Sequence, residues 1–184
     1  MKTHKNNKRP KKNGKKTRSK KQKGGTIFTP TTKEELKNAV MRWVDGDRDG
    51  LGNISEWNTS NITDMSNLFY ELNDFNEDIS SWDTSKVTTF KAMFQNAFKF
   101  NQPLGNWNTG SATVMSYFFK QAYDFNQDIS RWNVRKVEKM DWMFMFAYDF
   151  DQDIQMWDVT SLTYSAMMFY GANNFQKTIA CWSL

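Results

Sequence analysis

The sequence predicts an α/β solenoid of short strands and short helices, with an N-terminal helical cap and a disordered basic tail. Three observations carry this prediction: apolar residues that recur every 25 positions, a helical spacing of apolar residues inside each period, and a sharp division of charge along the chain. A fixed period of about 20 to 50 residues is typical of proteins whose repeats bury their faces against one another.

Four columns of apolar residues define the period, a column being the set of residues at one position of successive repeats. Their members are Trp57, Trp82, Trp107, Trp132, Trp157 and Trp182; Ile54, Ile79, Leu104, Ile129, Ile154 and Ile179; Phe69, Phe94, Phe119, Phe144 and Phe169; and Phe75, Phe100, Phe125, Phe150 and Phe175. Five repeats therefore span 54–178, and a partial sixth follows. We interpret the Trp column as a structural stack, the alternative being an exposed ladder that binds sugars or bases.

Each repeat is expected to hold one helix and one short strand. In repeat 1 the apolar residues are Ile62, Met65, Leu68, Phe69 and Leu72, which would share one face of a helix of two to three turns. The segment FNQDISRW, typical of the remainder, predicts a turn and a strand near 129–133. Strands lie about 4.8 Å apart and helices about 8–10 Å apart, so the solenoid should curve with its helices outside.

A helical cap is predicted ahead of the repeats. Residues 32–35, TKEE, form a capping-box pattern, and Leu36, Ala39, Val40 and Trp43 supply a helical face behind it. The predicted domains are a tail over 1–25, the cap and an Asp/Gly loop over 26–53, and the solenoid over 54–184. The incomplete sixth repeat predicts an open C-terminal edge that favours self-association.

The net charge of +5 combines two opposite regions. Residues 1–25 carry twelve Lys or Arg and no acidic residue, whereas the remaining residues hold 13 basic and 20 acidic side chains. The tail has no apolar residue after Met1, so we expect it to be disordered. Its candidate contact residues are Lys11, Lys12, Lys15, Lys16, Arg18, Lys20, Lys21 and Lys23. Such a tail suits nonspecific nucleic-acid binding, nuclear targeting or an acidic surface, although a solvated tail without a partner stays open.

Composition argues against several classes of protein. The single cysteine, Cys181, and the single histidine, His4, exclude a disulfide framework and a Cys/His metal cluster. No carboxylate is paired across the repeats with an acid, base or nucleophile, so we expect no enzyme and no cofactor. No apolar run approaches the roughly 18 residues of a membrane span, and no secretory signal is evident. An intracellular, nuclear or virion-associated location is therefore expected over secretion.

The repeat resembles those of the BspA-like leucine-rich-repeat surface proteins. Residues 119–140 (FKQAYDFNQDISRWNVRKVEKM) carry the pattern MFxxAxxFNQDISxWxVxxVxxM, and the lead-in over 34–69 follows it as well. The resemblance covers about residues 31–184. It implies a leucine-rich-repeat-like fold without enzymatic activity and a role in surface attachment or protein–protein interaction. The basic tail is similar in composition to Lys-rich tails on proteins of large DNA viruses.

One column varies while its neighbours stay constant. It precedes the tryptophans and comprises Glu56, Ser81, Asn106, Arg131 and Met156, hereafter the variable column. Packing does not dictate its chemistry, so we select it as the candidate contact surface for a protein partner, the alternative being an unconstrained solvent position.

An acidic loop matches a calcium-binding pattern. Asp45, Asp47, Asp49 and Glu56 follow the order D-x-D-x-D-G-x5-E, with Gly50 at the turn, and their carboxylates could surround a hard cation. The repeat that follows predicts no exiting helix, which favours a surface loop without metal.

The sequence thus predicts a non-catalytic protein-interaction or attachment module. The alternative is a nucleic-acid-binding or virion-associated protein in which the tail binds and the repeats serve as scaffold.

Overall fold

The computed structural model describes residues 27–182. The predicted disordered tail therefore lies outside the described residues, and so do residues 183–184 of the partial sixth repeat.

Helix α1, Lys33–Val44, lies where the capping box predicts a helix. The Thr32 hydroxyl accepts a hydrogen bond from the Glu35 N–H at 3.1 Å, and the Glu35 carboxylate accepts from the Thr31 N–H at 2.7 Å. The buried face of α1 consists of Leu36, Ala39, Val40 and Trp43. The Trp43 ring contacts that of Trp57 at 5.9 Å between centroids, so α1 covers the first repeat.

The five repeats lie side by side in parallel register. At each of the four junctions, four backbone N–H groups of one repeat donate to four carbonyls of the next, over 2.8–3.1 Å. The donors of the first junction are Met65, Asn67, Phe69 and Glu71, and the acceptors are Thr89, Lys91, Met93 and Gln95. Single parallel bridges join the same segments, beginning with Asp64 to Thr89. A 3-10 helix, Ile54–Glu56, opens repeat 1.

The predicted α/β solenoid of short strands and short helices is wrong. Residues 27–182 contain no regular strand and no α-helix besides α1. The segment predicted as a helix is a run of turns, in which an N–H bonds to the carbonyl three residues earlier, as from Leu68 to Met65. Left-handed residues interrupt it, with φ of 57° at Asn67 and 61° at Glu71, and a right-handed helix cannot continue through them.

The apolar stripe is nonetheless buried, since Met65, Leu68 and Phe69 of repeat 1 are all fully buried. Since the described residues form neither a strand layer nor a helix layer, the spacing difference that predicted curvature does not arise.

Stacked aromatic columns fill the core. The six tryptophans of the Trp column are at most 8% exposed, and the Trp82 indole donates to the Ile54 carbonyl of the preceding repeat at 2.8 Å. Trp107, Trp132 and Trp157 repeat this bond at 3.2, 2.9 and 3.2 Å. The structural interpretation of the Trp column is therefore confirmed.

Candidate interaction surface

The variable column lies on the surface because a tight turn holds it there. In repeat 2 the Trp82 N–H bonds to the Ile79 carbonyl at 3.1 Å, and both side chains are buried. The two residues between them are thereby left at the surface, and repeats 3 to 5 form the same turn. All five members of the variable column are exposed, and Met156 is 82% exposed.

Carboxylates fix the turns beside the variable column. Asp78 accepts a hydrogen bond from the Ser80 N–H, and Asp128 accepts from the Ser130 N–H, each over 2.9 Å. These backbone bonds, followed by the serine hydroxyls, lower the pKa of both carboxyls. Both groups therefore stay ionised near neutral pH.

Two surface depressions are lined in part by residues of the variable column. The first, of about 510 Å³, is lined by Ser55, Glu56, Trp57, Asp78, Ser80 and Ser81. The second, of about 370 Å³, is lined by Ser80, Pro103, Gly105, Asn106, Gln127, Asp128 and Arg131. The first presents carboxylates alone, whereas the second places Arg131 with Asp128, so the surface changes from acidic to mixed charge along the array.

A family model matches this chain in two places. A family described as Mycoplasma protein of unknown function, DUF285, covers residues 38–147 and 113–184. The chain belongs to the DUF285 family. The two DUF285 matches begin three repeat lengths apart, in agreement with the period of the sequence. No curated protein and no solved structure matches the chain significantly. No helix within residues 27–182 of this DUF285 chain is long and apolar enough to cross a membrane.

The acidic loop of the DUF285 chain does not form a cation cage. Asp47 pairs with the Arg42 guanidinium at 2.8 Å and accepts from the Asp49 N–H at 3.2 Å, while Glu56 belongs to the 3-10 helix of repeat 1. The Arg42 hydrogen bond is the main cause that lowers the pKa of Asp47. Across the described range, no three His, Cys, Asp or Glu side chains are grouped to hold a metal ion, so the candidate ligands, Asp45 included, are not brought together.

The sequence analysis missed a group of stacked aromatic side chains in the turn segments of DUF285 repeats 3 and 4. Tyr117 and Trp142 stack at 4.7 Å, with the Lys120 ammonium 5.6 Å from the Tyr117 ring. Tyr123 and Tyr148 stack at 4.8 Å. The signal available in the sequence is the change within one column from Asn67 in repeat 1 to Tyr117 and Trp142 in repeats 3 and 4.

The cationic tail residues, from Lys11 to Lys23, lie outside the described residues.

Proposed function

We propose that this DUF285 chain is a non-catalytic binding module that contacts a protein partner through its variable column. The observation that carries the proposal is the exposure of five chemically different side chains on a framework whose Trp and Ile/Leu columns are buried in repeats 1 to 5. The resemblance to BspA-like surface proteins supports the same role.

The size of the variable column suits a protein partner. Five repeats at the roughly 4.8 Å spacing of hydrogen-bonded backbones extend it over about 20 Å. Glu56, Arg131 and Met156 offer an acidic, a basic and an apolar contact along this length. Because the buried Trp column holds each turn, little conformational freedom is lost when a partner binds.

Absence of catalysis belongs to the same proposal. The variable column contains one carboxylate, Glu56, and repeats 1 to 5 contain no His or Cys. General acid–base catalysis most often uses a positioned His, Glu, Asp or Lys side chain, and Glu56 is the one such group in this column.

A second role is proposed for the tail, since twelve basic residues within 1–25 give it a charge opposite to that of the remaining chain. We propose that it adds salt-sensitive binding to nucleic acid or to another acidic surface.

The test compares full-length variants in capture from cell extract, washed at low and high salt. Asn106→Ala with Arg131→Ala removes two contacts of the variable column, and Lys136→Ala is an exposed control on repeat 4. A third variant replaces Lys11, Lys12, Lys15 and Lys16 with Gln.

We expect a protein retained by the wild type at high salt to be lost from the double variant and kept by the control. Binding that survives the double variant but disappears with the tail variant or with salt would overturn the column proposal in favour of the tail. Equal capture by every variant would contradict both roles.

A further inference from the structure

Repeat 5 ends the described array with a row of backbone donors. The N–H groups of Ser165, Met167, Phe169 and Gly171 correspond to those that donate across every earlier junction, for example from Met140 to Tyr164 at 2.8 Å. No acceptor for these four groups exists among residues 27–182. We call them the donor edge.

Repeat 1 presents the complementary row. The carbonyls of Asp64, Ser66, Leu68 and Tyr70 occupy the positions that accept across every later junction, and within the described part of the chain they receive no backbone bond. We call them the acceptor edge. The two edges therefore match each other in number, spacing and polarity.

The end of repeat 5 also leaves apolar surface open. Leu162, Phe169 and Phe175 are half-buried, although Val137, Phe144 and Phe150 at the same positions of repeat 4 are fully buried. Tyr164, Met167 and Tyr170 are 53–58% exposed, and residues 164–171 carry no charge. A further repeat docked on this end would bury these side chains.

Helix α1 lies over the acceptor edge. The Lys33 ammonium bonds to the Asp64 carboxylate at 3.0 Å and to the Ser66 hydroxyl, and the Lys37 ammonium bonds to the Asn67 carbonyl. Burial, together with the charge of Lys33, lowers the pKa of Lys37. These two lysines place positive charge beside the row of carbonyls while the apolar face of α1 covers the core behind it.

The polarity of the donor edge selects its partner. Two donor edges cannot pair, because N–H would face N–H. A regular β-strand offers N–H and C=O groups alternately along one side, so it would leave donors facing donors. A row of carbonyls alone, as in the acceptor edge, satisfies all four donors.

We propose that the donor edge of one chain docks on the acceptor edge of a second copy, head to tail, and that α1 blocks this assembly until it is displaced. The inference does not depend on the variable column. Such a heterologous contact does not close on itself, so it would propagate into linear chains.

The experiment uses full-length chains measured by light scattering and analytical ultracentrifugation. Leu36→Glu with Val40→Glu places charge on the buried face of α1 and opens the acceptor edge. Ser165→Pro removes one donor-edge N–H and introduces a ring there, and Ser165→Ala is the matched control that keeps the N–H. The residue before this site, Tyr164, forms a parallel β-bridge with Lys139. The extended backbone of such a bridge tolerates a following proline.

We expect the wild type to be monomeric and the opened variant to form concentration-dependent linear chains, with or without Ser165→Ala. Opened chains that carry Ser165→Pro should be monomeric alone and form a 1:1 complex with the wild type, which still has its donor edge.

Two results would overturn the proposal. One is a folded opened variant that stays monomeric at several hundred micromolar. The other is equal assembly with Ser165→Pro and Ser165→Ala, which would indicate apolar aggregation of the uncovered core. Should the opened variant fail to fold, a second variant, Lys33→Glu with Lys37→Glu, places carboxylates next to the Asp64 carboxylate and the Asn67 carbonyl and leaves the apolar face of α1 unchanged. The same two results would then overturn the proposal.

Discussion

Phe119 in repeat 3 and Phe169 in repeat 5 occupy the same column but different surroundings. Phe119 is fully buried and contacts Phe94 of the repeat before and Phe144 of the repeat after, at 5.6 and 5.7 Å between ring centroids. Phe169 is half-buried; it contacts Phe144 at 5.6 Å and Trp182 of the partial sixth repeat at 6.3 Å, but among residues 27–182 no phenylalanine of a following repeat stacks on it. The difference shows that each repeat is stabilised by its neighbours, so stability should depend on position as well as on residue type.

The largest effect is expected from Phe119→Ala, which we predict lowers the free energy of unfolding by about 3–5 kcal/mol because a cavity forms between two repeats. Phe169→Ala should cost clearly less, since Phe169 loses contacts mainly on one side. Urea unfolding followed by tryptophan fluorescence measures both. Equal losses would contradict the dependence on neighbours.

A second comparison concerns the left-handed position that Gln121 holds in repeat 3 and Gly171 in repeat 5. A Cβ atom at Gly171 would lie 2.3 Å from Cδ1 of Phe146, so Gly171→Ala should destabilise the protein by about 1–3 kcal/mol through overpacking. Thermal denaturation measures the change. Adding Phe146→Ala should remove most of the penalty of the alanine at 171, and a penalty that persists would assign the effect to the backbone alone.

Thr109 in repeat 3 and Val134 in repeat 4 share a column and a shape but differ in a hydroxyl. The buried Thr109 hydroxyl donates to the Asn133 carbonyl of the next repeat at 3.0 Å. Thr109→Val should therefore cost about 1 kcal/mol, because that carbonyl loses its partner. Val134→Thr should be close to neutral, since the new hydroxyl would face the equivalent carbonyl of Asp158. Chemical denaturation of both variants tests this, and a larger cost for Val134→Thr would contradict it.

The smallest effect on stability is expected when acid protonates one carboxylate near each end of the array, Asp64 in repeat 1 and Asp151 in repeat 4. Burial is the largest single influence on Asp64 and raises its pKa, but hydrogen bonds from Ser66 and Lys33 outweigh it, so that the pKa of Asp64 lies below its ordinary value. The ionised Asp64 carboxylate therefore stabilises the folded protein at pH values above its pKa in the unfolded chain. This stabilisation is lost as the pH falls through the lower pKa that Asp64 has in the folded protein. At the other end, the Lys177 hydrogen bond is the main cause that lowers the pKa of Asp151.

Melting curves between pH 2 and 6 should show a shallower acid decline for Asp64→Asn than for the wild type. Asp151→Asn should change the decline less, because its partner Lys177 is 40% exposed against 27% for Lys33, and a more exposed ion pair contributes less. A steeper decline for Asp64→Asn would contradict the assigned sign.

The sequence predicted what side chains determine and missed what the backbone determines. The period, the buried columns, α1 and the exposure of the variable column follow from residue types such as Trp82 and Ile79. The turns could not be distinguished from helices, because both bring Met65 and Leu68 to one face. Left-handed positions usually signal themselves by glycine, yet here they hold Trp142 and Phe146, at φ of 54° and 57°. The donor and acceptor edges consist of backbone groups and leave no pattern in the sequence.

The Trp column has an optical consequence. Trp57 and Trp82, Trp132 and Trp157, and Trp157 and Trp182 face each other at 6.0–6.3 Å with interplanar angles of 7–16°. Indoles this close and this nearly parallel exchange excitation energy rapidly. Emission should therefore be depolarised and should report the whole array, so that a quencher bound near one repeat dims several indoles at once.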